Sequence, residues 1–207
     1  MTKSSLILIL FLNSFLHAQI FQKVDLEKGI TFVTELITSE EFLQIRNSSS
    51  DLIAIDSLFS KTKKFYNDDI EESLLALTFG TLPYYQMPLI LPFFHFKVTI
   101  PLPTPQKNLN RRIKNLPSHF LFDSPKNDFG DNDKLAHFFG NAYLEYSLPL
   151  FNVSDFMSIF VEKFEESFKV EGALDKRDIF VNRLGKKFGN KLRNNKNFLP
   201  SEVLSNK

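Results

Sequence analysis

DKLAHFFGNAYLEYS, residues 133–147, and DKRDIFVNRLGKKFGN, residues 175–190, are the two stretches on which the fold turns. Each has helical spacing, yet each sets ionisable or amide groups where an amphipathic helix ordinarily carries Leu. At about 100° per residue, Asp133, His137, Gly140 and Asn141 fall within roughly 100° of arc on one helix face. Asp178, Asn182, Gly185 and Gly189 make a narrower stripe on the second helix. Polar groups beside glycines predict two helices in close contact through a shared polar seam. The first helix should run from about 133 to 146 and stop before Pro149. Between the two, Ser154 or Asp155 caps a middle helix that reaches about 169 and ends at Gly172. Asp175 caps the last helix, which should end near Gly189 and Asn190. The fold class that follows is mainly α: a C-terminal three-helix unit with a polar seam. N-terminal helices and a Pro-broken apolar extended segment should wrap it.

The order Asp133-Lys134-x-x-His137-Phe138, then Glu162-x-x-Glu165, then Asp178-x-x-x-Asn182-x-x-Gly185-x-x-x-Gly189 resembles the VanZ-like group. It is most similar to that group's small exported relatives of the YfiM type. The approach segment from Phe120 to Ser124 resembles the lead-in of those exported members. The resemblance covers roughly residues 118–190. It implies a helical unit in which Glu162 and Glu165 face inward and Glu166 outward. One departure separates this chain from the membrane-spanning members. Lys163, Glu166, Lys169, Lys186 and Lys187 make these segments too charged to cross a bilayer.

His137, Asp133, Glu162, Glu165, Asp178 and Asn182 are the candidate site residues. Three readings stand side by side. His137 is a buried imidazole held by Asp133 or by a carboxylate of the middle helix, because buried polar groups must be paired and pairing fixes helix register. Alternatively His137 with Asp178 and Glu162 or Glu165 ligates a metal, although one His is meagre for zinc and the HExxH spacing is absent. Third, His137 oriented by an acid does general acid–base work. No Ser has a glycine-elbow context, so hydrolysis would need an activated water. Asp178 also reads as the acid of a capping box begun by Asp175. The carboxylates of the middle helix have a simple account as a solvated face. Lys134 is expected at the mouth of the seam or on the surface. No cofactor is implied.

Composition narrows the remaining classes. The 207 residues carry a net charge of +1 and only short Lys/Arg runs, which excludes an electrostatic footprint for nucleic acid. No phosphate-cradling glycine loop is present, so no nucleotide is expected. Phe, at 24 residues, supplies much of the apolar content and needs no polar partner when buried. The absence of Cys rules out disulfides, thiolate metal sites, a Cys nucleophile and attachment of lipid to a lipoprotein cysteine.

Residues 1–18 read as an export signal: Lys3 is the positive n-region, Leu6 to Leu16 the apolar core, and Ala18 the small residue at the cut. Leu16 is a poor minus-three residue, which keeps an uncleaved anchor open. Residues 19–126 form an N-terminal helical and Pro-rich apolar region. Glu40–Arg46, Leu52–Phe65 and Asp69–Phe79 have apolar residues at three- and four-residue spacing. From Leu82 to Pro105 six prolines forbid a regular helix, and extended pieces buried against the helices are expected. A surface that dips into a membrane or holds an acyl chain is the functional counterpart of that segment. Residues 106–117, basic and containing Pro and Asn, read as an exposed loop. The helical unit occupies 127–190, and 191–207 is a polar tail expected to fray.

Together these features imply a periplasmic or peripherally envelope-associated protein. It would be a binding or structural module near a membrane, with an envelope lipid or membrane surface as partner. The alternative is a hydrolase or transferase on an envelope lipid or glycan, acting through the His137 cluster. Export predicts cleavage close to Ala18–Gln19. N-terminal sequencing of the protein from an envelope fraction should begin near Gln19, and an intact Met1 on membrane-embedded protein would contradict it.

Overall fold

A computed structural model describes residues 26–84, 86–90, 97–101, 106–147 and 176–205, with side chains left undescribed from 86 to 107. The described residues are mainly helical. Helix α1 spans residues 26–38, followed by α2 (Glu40–Ser48), α3 (Asp51–Phe65) and α4 (Ile70–Gly80). Strands β1 (Gln86–Ile90) and β2 (Lys97–Pro101) come next, then α5 (Gln106–Asn115), α6 (Lys134–Ser147), α7 (Lys176–Asn194) and α8 (Ser201–Leu204).

Local chemistry starts the N-terminal helices where the spacing predicts. Ser39 Oγ accepts from the Phe42 N–H at 3.1 Å, Ser50 Oγ from Ile53 N–H at 3.4 Å, and Asp69 Oδ1 from Glu72 N–H at 3.1 Å. Each bond satisfies a donor that the first helical turn leaves without an intrahelical partner. Between α3 and α4 the chain reverses through Asn67 and Asp68, at φ 53° and 66°. Asn and Asp are the residues that tolerate this left-handed region best after Gly.

The core is built largely of phenylalanine. Phe42, Phe59, Phe138, Phe139 and Phe188 are fully buried with Ile37, Ile55, Leu58 and Leu77. Phe188 stacks on Phe138 at 5.2 Å between centroids and meets Phe59 edge-on at 5.2 Å, so one ring of α7 ties α6 to α3. Helices α6 and α7 lie backbone to backbone. A Cβ added to Gly185 would collide with the Phe138 carbonyl oxygen, and one added to Gly189 with that of Ala142. On its other side α6 meets α4, where Gly140 lies against Thr78. The paired glycine contacts advance four residues on each helix together, so α6 and α7 run in the same direction.

The basic stretch 106–117 is not an exposed loop: its first ten residues form α5, and Leu109, Arg112, Asn115 and Leu116 are buried. Arg112 is buried because backbone carbonyls receive it. Its guanidinium donates to Leu82 O at 2.7 Å, Tyr84 O at 2.8 Å and Thr34 Oγ1 at 3.2 Å. Desolvation lowers its pKa to about 10. The tail from 191 is not frayed. α7 continues to Asn194 with Leu192 fully buried, and Val203 and Leu204 of α8 enter the core. Asp56 Oδ1 accepts from the Ser201 N–H at 2.8 Å and holds α8 on α3. Within the Pro-broken segment, β1 and β2 pair antiparallel from Gln86↔Pro101 to Ile90↔Lys97. The burial of that segment, the leader at 1–18 and the expected middle helix with Glu162 and Glu165 lie outside the described residues. Among the described residues no helix is long and apolar enough to cross a membrane.

The Gly185 contact yields a direct test. Gly185→Leu should cost about 3 kcal/mol or more, because the new side chain meets a carbonyl that two helices hold in place. Chemical denaturation measures the loss, and a wild-type unfolding midpoint would mean that the two backbones are not in contact.

Candidate functional site

Asp133 immediately precedes α6, Lys134 is its first residue and His137 follows within the first turn; Asp178 is the third residue of α7. The parallel packing brings these two helix starts together. One ligand-type atom from each of Asp133, His137 and Asp178 lies within 4.8 Å of the others. Lys134 joins them from within. Its Nζ lies 2.8 Å from Asp133 Oδ2 and 2.6 Å from Asp178 Oδ1, and the residue is only 4% exposed. Lys134 is therefore not at the mouth of the seam or on the surface, as its residue type suggested. Two carboxylates offset the cost of burying its ammonium.

Burial alone would lower the Lys134 pKa, but hydrogen bonds and attraction to Asp133 and Asp178 outweigh it and raise the pKa above its ordinary value. With the folded-state pKa raised, the contribution of this charge is complete below the unfolded value and is lost only as pH rises through the folded one. The ion bridge is thus intact across neutral pH.

One turn along the seam, Asn141 Nδ2 donates to Asn182 Oδ1 at 2.8 Å and to the His137 carbonyl at 2.9 Å. Asn182 serves as a cross-helix partner for Asn141. Of the six predicted site residues, Asp133, His137, Asp178 and Asn182 line this seam. Glu162 and Glu165 lie outside the described residues.

Three contributors were not singled out from the sequence. Tyr84 is one: burial first, then the negative charges of Asp133 and Asp178, raise its phenol pKa, with Lys134 opposing. Its phenol is therefore within electrostatic reach of the cluster, while Arg112 holds its carbonyl. Asp131 is the second, and it is fully buried. Its Oδ2 accepts from the Phe120 and Leu121 N–H groups, each at 3.0 Å, and from Ser124 Oγ at 2.5 Å. Arg177, the third, pairs with Asp131 and lies 3.3 Å from Asp123. That clasp fixes the loop 118–133, and the Asp131 carbonyl accepts from the Lys134 N–H at 2.9 Å to launch α6. The available signals were the Asp/Asn density of residues 127–133 and the Arg directly before Asp178. Neither identifies its partner.

The donor set offers a metal one nitrogen and two carboxylates among the described residues. The Lys134 ammonium already stands between those carboxylates, so a divalent ion would have to displace it. No family model, curated protein or solved structure matches the chain.

Removing the internal cation should be costly. Lys134→Met leaves two carboxylates facing each other, and breaking a buried ion pair this way costs about 3 kcal/mol or more. Urea denaturation of wild type and variant checks it, and an unchanged unfolding midpoint would contradict the ion bridge.

Proposed function

We propose that this chain is an exported envelope protein of the VanZ-like, YfiM-like kind. In this reading it is a non-enzymatic binding or structural module, periplasmic or peripherally attached, that works near a membrane. The observation that carries the non-enzymatic reading is the Lys134 bridge. Lys134 pairs with Asp133 at 2.8 Å and with Asp178 at 2.6 Å, and so commits both carboxylates to holding α6 against α7. Groups committed in this way specify helix register and orientation. Exposed Phe122, Phe129 and Ile179 support a module that meets an apolar surface, because large aromatic side chains left in water commonly mark contact sites. Phe122 is 68% exposed and stands edge-on to Phe180 at 5.4 Å.

One observation favours a second reading, a hydrolase or transferase acting on an envelope lipid or glycan. His137 is only half-buried, and its ring shares the seam's end with Asp133, Asp178 and the Tyr84 phenol. In that reading the imidazole would move the proton of an attacking water, and an acid would orient it.

His137→Ala separates the two. If the cluster is structural, the variant should lose about 1–3 kcal/mol of stability, and function should fall only in proportion to the folded protein. If it is catalytic, folding should survive while function disappears. Chemical denaturation run beside complementation of a deletion strain reads both quantities, and a stable, inactive variant would reverse the assignment.

A further inference from the structure

Away from the seam, two adjoining hollows lie where α2, α3 and α5 meet the loop 118–132. Both are open to solvent, one of about 660 Å³ and the other of about 770 Å³, and both are lined by Arg46, Lys114 and His119. Each lies in the size range of a small-molecule site. Asn132 lines the first hollow, is 3% exposed, and its Oδ1 meets no hydrogen-bond donor among the described residues. Its Nδ2 reaches the Ile113 carbonyl only at 3.5 Å, the limit of a hydrogen bond, so the carboxamide is held weakly. A buried amide left in this state costs free energy unless something else supplies its partner.

The hollow also contains a presented aromatic ring. Phe129 lines it and is 46% exposed, and it is not on a loose tip. Its carbonyl accepts from Asn132 N–H at 3.0 Å, Asn127 Oδ1 accepts from Gly130 N–H at 2.8 Å, and Ser118 O accepts from Asp131 N–H at 2.7 Å. The charges beneath the hollow are mutually satisfied. Arg46 lies 3.3 Å from Asp51 and donates to Lys114 O and Ser118 Oγ, while Asp51 accepts from the Ser118 and His119 N–H groups. At the rim Lys114 and Asp128 carry opposite charge. Nothing in this balance selects a strongly anionic or cationic ligand.

An exposed ring, a weakly held buried amide and balanced charge describe a site for a neutral polyhydroxylated molecule. We infer that the joined hollows bind a saccharide chain. The apolar C–H face of one sugar ring lies on Phe129, and a hydroxyl or acetamido N–H is donated to Asn132 Oδ1. Ile113 completes the apolar wall, and His119 leads into the second hollow, which gives room for more than one ring. This gives the binding-module reading a ligand class, and it uses residues outside the Asp133–His137–Asp178 cluster. Loss of His137 and loss of saccharide binding are therefore separate results.

The test is isothermal titration calorimetry of the full chain with chitotriose, with cellotriose and with a neutral tripeptide. Chitotriose should bind, cellotriose should bind more weakly for want of the acetamido N–H, and the tripeptide should not bind. Phe129→Ala, on an exposed loop, should weaken chitotriose about tenfold, as expected for losing one aromatic contact. Asn132→Ala should abolish binding while leaving the melting temperature unchanged or raised, since it deletes a poorly satisfied buried group. If Asn132→Ala fails to fold, Phe129→Ala alone decides. Absence of binding by both saccharides, preference for the tripeptide, or chitotriose affinity unchanged in Phe129→Ala would each overturn the inference.

Discussion

The backbone of α7 can lie directly on that of α6 because Gly185 and Gly189 leave room for the Phe138 and Ala142 carbonyl oxygens. Most of the described C-terminal architecture depends on that clearance. At this separation polar side chains on both sides come within hydrogen-bonding reach, and they do so in sequence along the seam. Lys134 meets Asp178, Asn141 meets Asn182, and Arg193 meets Glu145 at 3.1 Å. Widening the contact by one methyl would stretch all three pairs together, so the glycines and the polar groups form one constraint.

Parallel packing adds an electrostatic requirement. Two adjacent helices running the same way place their N-terminal positive ends side by side, and their negative ends likewise. Asp133 and Asp178 sit at the shared positive end, while Arg193 and Lys191 fall in the last turn of α7 at the negative one. The carboxylates are therefore favoured twice, by the helix dipoles and by the Lys134 ammonium between them. This gives a physical reason for a buried Lys flanked by two acids that involves no chemistry on a substrate. Arg177 extends the same logic outward, joining the start of α7 to the loop that delivers α6.

What was legible in the sequence divides along the same line between local and tertiary causes. The N-terminal helices could be read because their apolar residues recur at three- and four-residue spacing, a local signal that the caps of Ser39, Ser50 and Asp69 reinforce. The seam was legible because the three- and four-residue spacing of Asp178, Asn182, Gly185 and Gly189 places them on one helix face. Helix α5 was not, since Arg112 advertises solvent until the carbonyls of Leu82 and Tyr84, some thirty residues away, are brought to it. Lys134 misled for the same reason, as its burial is explicable only after Asp178 has been placed. In the tail, Leu192, Val203 and Leu204 are too sparse among polar residues to show a period, yet α3 and α7 give each one a place in the core. Tyr84 and Asp131 act across distances that no spacing rule addresses.

The loop 118–133 joins the hollow to the seam. Asn132 lines the hollow beside Phe129, and Lys134, two residues on, anchors the seam. Between them Asp133 faces Lys134, and Asp131 holds the loop through three donors and Arg177. Gly130, at φ 50° and packed against the Ser118 carbonyl, makes the turn that permits this, since a Cβ there would strike that oxygen. Because one buried carboxylate, Asp131, sets the geometry on both sides, hollow and seam are mechanically continuous. A ligand that orders Asn132 would stiffen the start of α6, and loosening the Arg177–Asp131 clasp would disturb both. The seam's rigidity is thus also what keeps the hollow in shape.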